Sequence, residues 1–162
     1  AHGITDLMPA VETPDAFHPI INAHFRLDNE YSAPQDVGLL GIVGGTAHWV
    51  FFRDDTLSVT VSAADKLSRE SNEAIAKRIW RDLRDALAEL PQDIPKRHRI
   101  IKERRGTISQ TPASIRRRPT RETYCDNVYL AGDWIDTGLP ATIEGAIRSG
   151  FQAARPILDS KT

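Results

Sequence analysis

Asp133 is the residue of this sequence whose surroundings point most directly to chemistry. It follows Gly132 at the end of the apolar run 127–131, Asn-Val-Tyr-Leu-Ala. A run so short and continuous reads as a strand buried on both faces, as in a parallel sheet. Open sheets of that kind bind ligands beyond the carboxyl ends of their strands, where a carboxylate can accept two hydrogen bonds from sugar-like hydroxyls. Gly132 would let a ligand approach the backbone. Downstream, Pro140 suits the first turn of a helix running to Leu158, because the amide it lacks would have no partner there. Amides around Ala141, Thr142 and Ile143 would then face the same crevice, and with the helix dipole they favour negative charge. Gly145 and Gly150 would let that helix pack closely. A Gly-Asp pair alone fits an ordinary β-α unit with an Asp-capped turn equally well; the longer string, 128–150, carries the signal.

Other chemistries find little support. The sequence contains no G-x-S-x-G, H-E-x-x-H, Walker A or C-x-x-C pattern. Cys125 stands alone, which excludes an intrachain disulfide or a cysteine zinc site and fits a reducing compartment. The five histidines show no ligand spacing, so no metal site is expected and no catalytic residue is assigned. His24 and His48 fall in predicted strands, as hydrogen-bonded strand residues or facing a substrate cavity. No glycines stand at G-x-G-x-x-G spacing, so the usual dinucleotide fingerprint is missing.

The elements that would carry these residues follow from periodicity. Residues 1–19 are rich in proline and read as a lead-in, and 29–38 as a connector. Segment 20–27 alternates, with Ile21, Ala23, Phe25 and Leu27 on one face and Asn22, His24 and Arg26 on the other. Further strands are expected at 39–43, 47–52 and 57–62, with Gly44-Gly45 and Asp54-Asp55 at the turns of an antiparallel meander. Leu67, Ile75, Ile79, Leu83, Leu87 and Leu90 mark the stripe of a long helix over 66–90, ended by Pro91. Trp80 flanks that stripe as a packing residue. A strand at 97–105 and an extended connection over 106–126 follow. Ile143, Ile147, Gly150, Ala154 and Leu158 line one face of the last helix, and Pro156 would end it.

With 162 residues, 40% apolar and 27% charged, the chain is long enough for a real core and resembles neither a disordered nor a fibrous protein. No run of 18 apolar residues occurs, and the opening AHGITDLMPA shows no secretory leader. The absence of an initiator Met suggests a piece of something longer. The net charge of −1 hides an asymmetry, for ten basic residues lie between Lys96 and Arg121 against Glu103 alone. Such a segment is either a solvated face or a surface for an anionic partner. No aromatic residue interleaves it, which argues against nucleic acid.

The string LAGDWIDTGLPATIEGAIRSG resembles the carboxy-terminal flavin-binding motif of the FAD-dependent amine oxidase and phytoene desaturase superfamily. Together with 19–27, LLGIVGGTAHWVF and 104–112, it is most similar to the squalene-associated branch, the hydroxysqualene dehydroxylases. The resemblance implies FAD as cofactor, with Gly132 and Asp133 at its ribityl chain and Pro140, Thr142 and Ile143 at the pyrimidine edge of the flavin. The family's amino-terminal G-x-G-x-x-G unit is absent, so the likeness is to the last third of such an enzyme. The expected fold is α+β: an antiparallel substrate-domain sheet with a long helix, plus the closing β-α unit of a Rossmann-like FAD domain. Residues 1–110 would belong to the substrate-binding domain and 111–162 to the FAD-binding domain.

The implied activity of the intact enzyme is reductive dehydroxylation of hydroxysqualene to squalene, within hopanoid or related triterpenoid synthesis. Phe25, Val43, Trp49 and Phe51 are candidates to line a tunnel for the apolar isoprenoid. A carotenoid desaturase or amine oxidase of the superfamily, or a non-catalytic basic module binding lipid or nucleic acid, are the alternatives. A cytoplasmic location is expected, peripheral on the inner face of an anionic membrane held by the segment from Lys96 to Arg121. Alone, the chain should be inactive and should dimerise, because the 127–158 unit would leave an apolar face uncovered.

Overall fold

A computed structural model describes residues 3–31 and 37–159; part of the connector expected at 29–38 lies outside the described residues. The chain divides into two compact units, one of residues 18–106 and the other of residues 1–17 with 107–162. The opening segment thus groups with the carboxy-terminal part, where the sequence reading ran one region from 1 to 110. The divisions fall at 17/18 and 106/107.

The continuous unit is a five-stranded sheet covered on one face by a helix. Its strands are β1 (Phe17–Arg26), β2 (Leu39–Gly41), β3 (Trp49–Arg53), β4 (Thr56–Val61) and β5 (Arg97–Ile108), in spatial order β2-β3-β4-β1-β5. Only β2, β3 and β4 form a meander. β1 pairs antiparallel with the far side of β4, from Ile21 opposite Val61 to Arg26 opposite Thr56, and β5 takes the outer edge. Alternation sets the faces. Ile21, Ala23 and Phe25 of β1, Val50 of β3, and Leu57, Val59 and Val61 of β4 are all buried on the same side.

Asp54-Asp55 makes the two-residue turn between β3 and β4, with Asp54 at φ 49°. The Arg26 Nε donates to Asp55 at 2.6 Å. Hydrogen bonds from Thr56 and Arg26 hold the Asp55 carboxyl below the usual carboxylate range. Gly44-Gly45 is no tight turn. It lies within the longer 42–48 connection, whose shape depends on Asp82 of the helix: this buried carboxylate accepts the amides of Thr46 and Ala47. A Cβ on Gly45 would lie 2.9 Å from the same carboxylate oxygen.

The helix expected over 66–90 is broken. A 3-10 turn covers Leu67–Arg69, and helix α2 spans Asn72–Ala86, after the short α1 (Ile4–Leu7) near the amino terminus. Ser71 sets the new start by accepting the Ala74 amide at 3.2 Å as an N-cap. Leu87 is already extended yet fully buried, so the four-residue spacing from Leu83 continues past the helix itself. Ile75, Ile79, Trp80 and Leu83 fill the layer between helix and sheet, with the Trp80 ring 5.1 Å from that of Phe25.

The second unit has a smaller core of Met8, Val11, Ile108, Leu130, Trp134 and Ile135. It carries α3 (Pro112–Arg116) and α4 (Ile143–Asp159). The parallel strand expected at 127–131 does not form. Tyr129 makes an isolated antiparallel bridge to Glu122, Leu130 donates to Arg121 at 2.7 Å, and Val128 remains exposed. A doubly buried strand needs a neighbour on each side, and among the described residues only the short 121–123 segment lies alongside.

α4 departs from expectation at both ends and in its orientation. It starts at Ile143 and runs through Pro156 to Asp159. Pro156 has no amide to give the Gln152 carbonyl, which instead accepts Arg121 Nη1 at 3.0 Å. The buried positions are Gly145, Ser149 and Ala153, whereas Ile143, Ile147 and Phe151 are 83%, 52% and 75% exposed. Among the described residues no helix is long and apolar enough to cross a membrane.

Candidate functional site

The turn at Gly132-Asp133 is fixed from several directions. Gly132 adopts φ +138°, a conformation that favours glycine, and a Cβ there would lie 2.5 Å from the Trp134 indole. Its amide donates to Ser149 Oγ at 2.8 Å, and that hydroxyl donates in turn to Ala146 O at 2.6 Å. The wholly buried Ser149 therefore ties the turn to α4. Asp133 is half-buried, and its carboxylate has no partner among the described residues. Its carbonyl accepts Arg118 Nη2 at 2.8 Å. Arg118 also reaches the carbonyls of Trp134, Ile135 and Leu139.

The start of α4 is built differently from the sequence reading. Pro140 precedes the helix rather than opening its first turn, and Thr142 is the cap. The Thr142 hydroxyl accepts the Gly145 amide at 3.2 Å, and the Thr142 carbonyl accepts that of Ala146 at 3.0 Å. The Ala141 amide is taken by Gln110 Oε1 at 2.9 Å. The amides of Thr142, Ile143 and Glu144 keep no partner among the described residues. Gly145 is needed for close packing, since a Cβ would come 2.8 Å from Pro140 O; Gly150 has nothing within 4 Å.

Two kinds of hydrogen-bonding surface result: an acceptor-only carboxylate at Asp133, suited to hydroxyls, and donor amides at Thr142 and Ile143, suited to carbonyl-like acceptors. Glu144 already supplies negative charge to the first turn. The end therefore discriminates against a free anion more than against a neutral polar edge. Among the described residues no group of three His, Cys, Asp or Glu could hold a metal ion.

The sequence reading missed Arg118, Ser149 and Gln110. Arg118 belongs by sequence to the basic run, yet its half-buried guanidinium bonds the carbonyls of this turn. Others of the run are also engaged: Arg117 lies 3.7 Å from Asp15, Lys102 donates to Glu70 O, and Arg121 bonds Glu122 at 2.6 Å. That last bond holds the Glu122 carboxyl below its ordinary range. Arg97, Arg99 and Arg104 on β5 have no carboxylate partner among the described residues.

Of the tunnel candidates, Phe25 is core, whereas Val43, Trp49 and Phe51 are exposed. His24 bonds Ser58 Oγ at 3.0 Å, and His48 accepts the Ser62 amide at 3.2 Å, so both histidines are satisfied locally.

The profile of the family described as flavin containing amine oxidoreductase matches residues 9–158. The chain is 44% identical over 151 residues to a hydroxysqualene dehydroxylase of Zymomonas mobilis, covering 93% of this chain and 35% of that protein. A hydroxysqualene dehydroxylase of Sinorhizobium fredii is also 44% identical, over 91% of this chain and 34% of its own length. A zeta-carotene desaturase of Synechocystis is 32% identical over 141 residues, 85% of this chain and 27% of the relative. The chain thus spans about a third of the length of these relatives. A crystal structure from Exiguobacterium, named for protoporphyrinogen oxidase, superimposes with a TM-score of 0.64 at 18% identity, over 96% of this chain and 39% of that one, and shows the fold alone. With the profile spanning nearly all of it, and the Gly132-Asp133 turn bonded to α4, this chain belongs to the flavin-containing amine oxidoreductase family.

Proposed function

We propose that this chain forms the substrate-facing sheet and the closing flavin-contacting turn of an FAD-dependent enzyme that reductively dehydroxylates hydroxysqualene to squalene. The observation that carries the cofactor assignment is the half-buried Asp133 carboxylate, without a partner, on a turn hydrogen-bonded to α4. The residues present suit FAD: Asp133 would accept from ribityl hydroxyls, and the Thr142 and Ile143 amides would donate to the carbonyl-bearing edge of the ring. Gly132 keeps the backbone bare beside that carboxylate, and Pro140 leads the chain into the capped helix. Reduced FAD, when bound, would supply a hydride to the carbon that loses the hydroxyl, which with a proton from solvent departs as water. Donors fixed in advance by Gln110 and Thr142 would hydrogen-bond a carbonyl-like acceptor without reorganising.

The substrate class rests on the likeness to hydroxysqualene dehydroxylases, at 42–44% identity. Leu39, Trp49 and Phe51 expose apolar surface on the sheet face turned away from α2, suited to a long isoprenoid. The β5 arginines would hold the protein on the cytoplasmic side of an anionic membrane, where such a substrate dissolves.

In the full-length protein, Asp133→Ala should weaken FAD binding about tenfold to a hundredfold, the effect of losing a charge-assisted hydrogen bond. Purified Asp133→Ala protein that retains its visible flavin absorbance and parental affinity would refute the assignment.

A further inference from the structure

We propose that Arg118 is a positioning residue for the cofactor turn, its guanidinium gathering the backbone carbonyls of the 133–139 loop so that Asp133 is held in place to bind. The inference rests on the reading of Asp133 as a flavin ligand.

Arg118 Nη2 donates to Asp133 O at 2.8 Å and to Ile135 O, Nη1 donates to Leu139 O at 2.6 Å, and Nε reaches Trp134 O at 3.4 Å. None of these four carbonyls has another partner among the described residues. The next residue adds to the hold, for Pro119 O accepts the Asp136 amide at 2.7 Å. Half-buried and facing carbonyls only, Arg118 differs from Arg117 and Arg121, which meet carboxylates.

Beyond the burial of Trp134 and Ile135 in the core, the loop has few hydrogen bonds of its own. Its internal bonds are the Asp136 side chain to the Gly138 amide at 3.0 Å, Thr137 Oγ1 to the Leu139 amide at 3.4 Å, and a long 3.5 Å contact from Ile135 N to Gly132 O. Four carbonyl dipoles converging on one point repel each other unless a cation lies between them. A planar guanidinium with five fixed donors can serve all four, whereas an ammonium offers three donors from a single point. Ser149 fixes the Gly132 side of the turn and Arg118 the side beyond it. Asp133 lies between the two.

The test uses the full-length protein and FAD itself, read by fluorescence titration, by visible circular dichroism of the bound flavin, and by thermal melting without FAD. Arg118→Met should weaken FAD about tenfold to a hundredfold and alter the flavin dichroism. Arg118→Lys should recover little of this, because charge without the fork cannot gather the carbonyls. Arg116→Met, an exposed control in the same run, should change neither. Arg118→Met combined with Asp133→Ala should bind no more weakly than Asp133→Ala alone, since both remove the same interaction. Should Arg118→Met fold poorly, Arg118→Ala titrated with guanidinium chloride at low concentration should regain FAD affinity.

Parental affinity in Arg118→Met while Asp133→Ala loses FAD would overturn the inference. So would losses that multiply in the double variant, or failure of guanidinium to restore binding to a folded Arg118→Ala. Parental affinity in Asp133→Ala would instead overturn the flavin reading itself, whatever Arg118 does.

Discussion

Replacing Gly132 by Ala puts the geometry of the turn to a quantitative test. At φ +138° a residue with a Cβ is outside the ordinary allowed regions, at a cost of about 1–3 kcal/mol. The new methyl would also sit 2.5 Å from two ring atoms of Trp134, where carbon contacts settle at about 3.5–4.0 Å, so the indole must move by about 1 Å. It has little room to do so, being packed among Met8, Val11, Ile108, Leu130 and Ile135. Overpacking of that kind costs about 1–3 kcal/mol, and the two effects together destabilise by about 2–6 kcal/mol. Urea unfolding followed by tryptophan fluorescence would measure it. Gly138→Ala serves as the control for backbone alone: its φ is +75° and nothing lies within 4 Å, so about 1–2 kcal/mol is expected. Adding Trp134→Phe to Gly132→Ala should recover part of the steric cost. The reasoning is refuted if Gly132→Ala falls within about 0.5 kcal/mol of the parent, or costs no more than Gly138→Ala.

Three further outcomes are expected. Asp82→Ala strands the Thr46 and Ala47 amides and should destabilise by about 2–5 kcal/mol in the same assay, with Asp82→Asn milder; a loss below about 1 kcal/mol would mean the carboxylate does not anchor the 42–48 loop. The 162-residue chain by itself should scatter light as a dimer joined through Ile147 and Phe151 of α4, and Ile147→Glu with Phe151→Glu should yield monomers. A monomeric parent at micromolar concentration would contradict this. Replacing Arg97, Arg99 and Arg104 together by Gln should weaken binding of the full-length protein to anionic vesicles by about 1 kcal/mol per residue at low salt, and unchanged sedimentation would remove β5 from the membrane reading.

Where one face of an element meets a core within the same segment, the sequence showed it. The alternation of Ile21, Ala23 and Phe25 matches their burial, and Asp54-Asp55 makes its turn because a short polar residue tolerates positive φ. α4 shows the limit. Periodicity marks the face that gains from burial, with Ile143, Ile147 and Leu158, but not whether a covering surface is at hand. The face that packs is the small-residue one, Gly145, Ser149 and Ala153, which carries almost no hydrophobic signal. Arg118 was illegible for a related reason: in a run of ten basic residues nothing in its letter distinguishes a cation bonded to carbonyls from one in water. The motif around Gly132 and Asp133 stands out in the sequence, while the hydrogen bonds that shape the turn come from Ser149, Gln110 and Arg118, far along the chain or hidden in its charge.

The 18–106 unit enters and leaves through neighbouring strands, β1 and β5, and a Cβ at Gly106 would touch Ile20 at 2.6 Å. Its two ends therefore meet side by side, which bears on how the chain finds its structure. The core of this segment is drawn from its own residues, so every core partner is present once β5 is synthesised. Met8 and Val11 must wait until Leu130 and Trp134 exist before their own core can form. A folded insert with adjacent ends spares the outer unit most of the entropy of closing so long a loop, because that cost depends on the flexible length spanned. The arrangement thus predicts an order of assembly, sheet first and the Gly132-Asp133 turn last. It also marks 18–106 as a cassette that a short linker between its ends could close or permute.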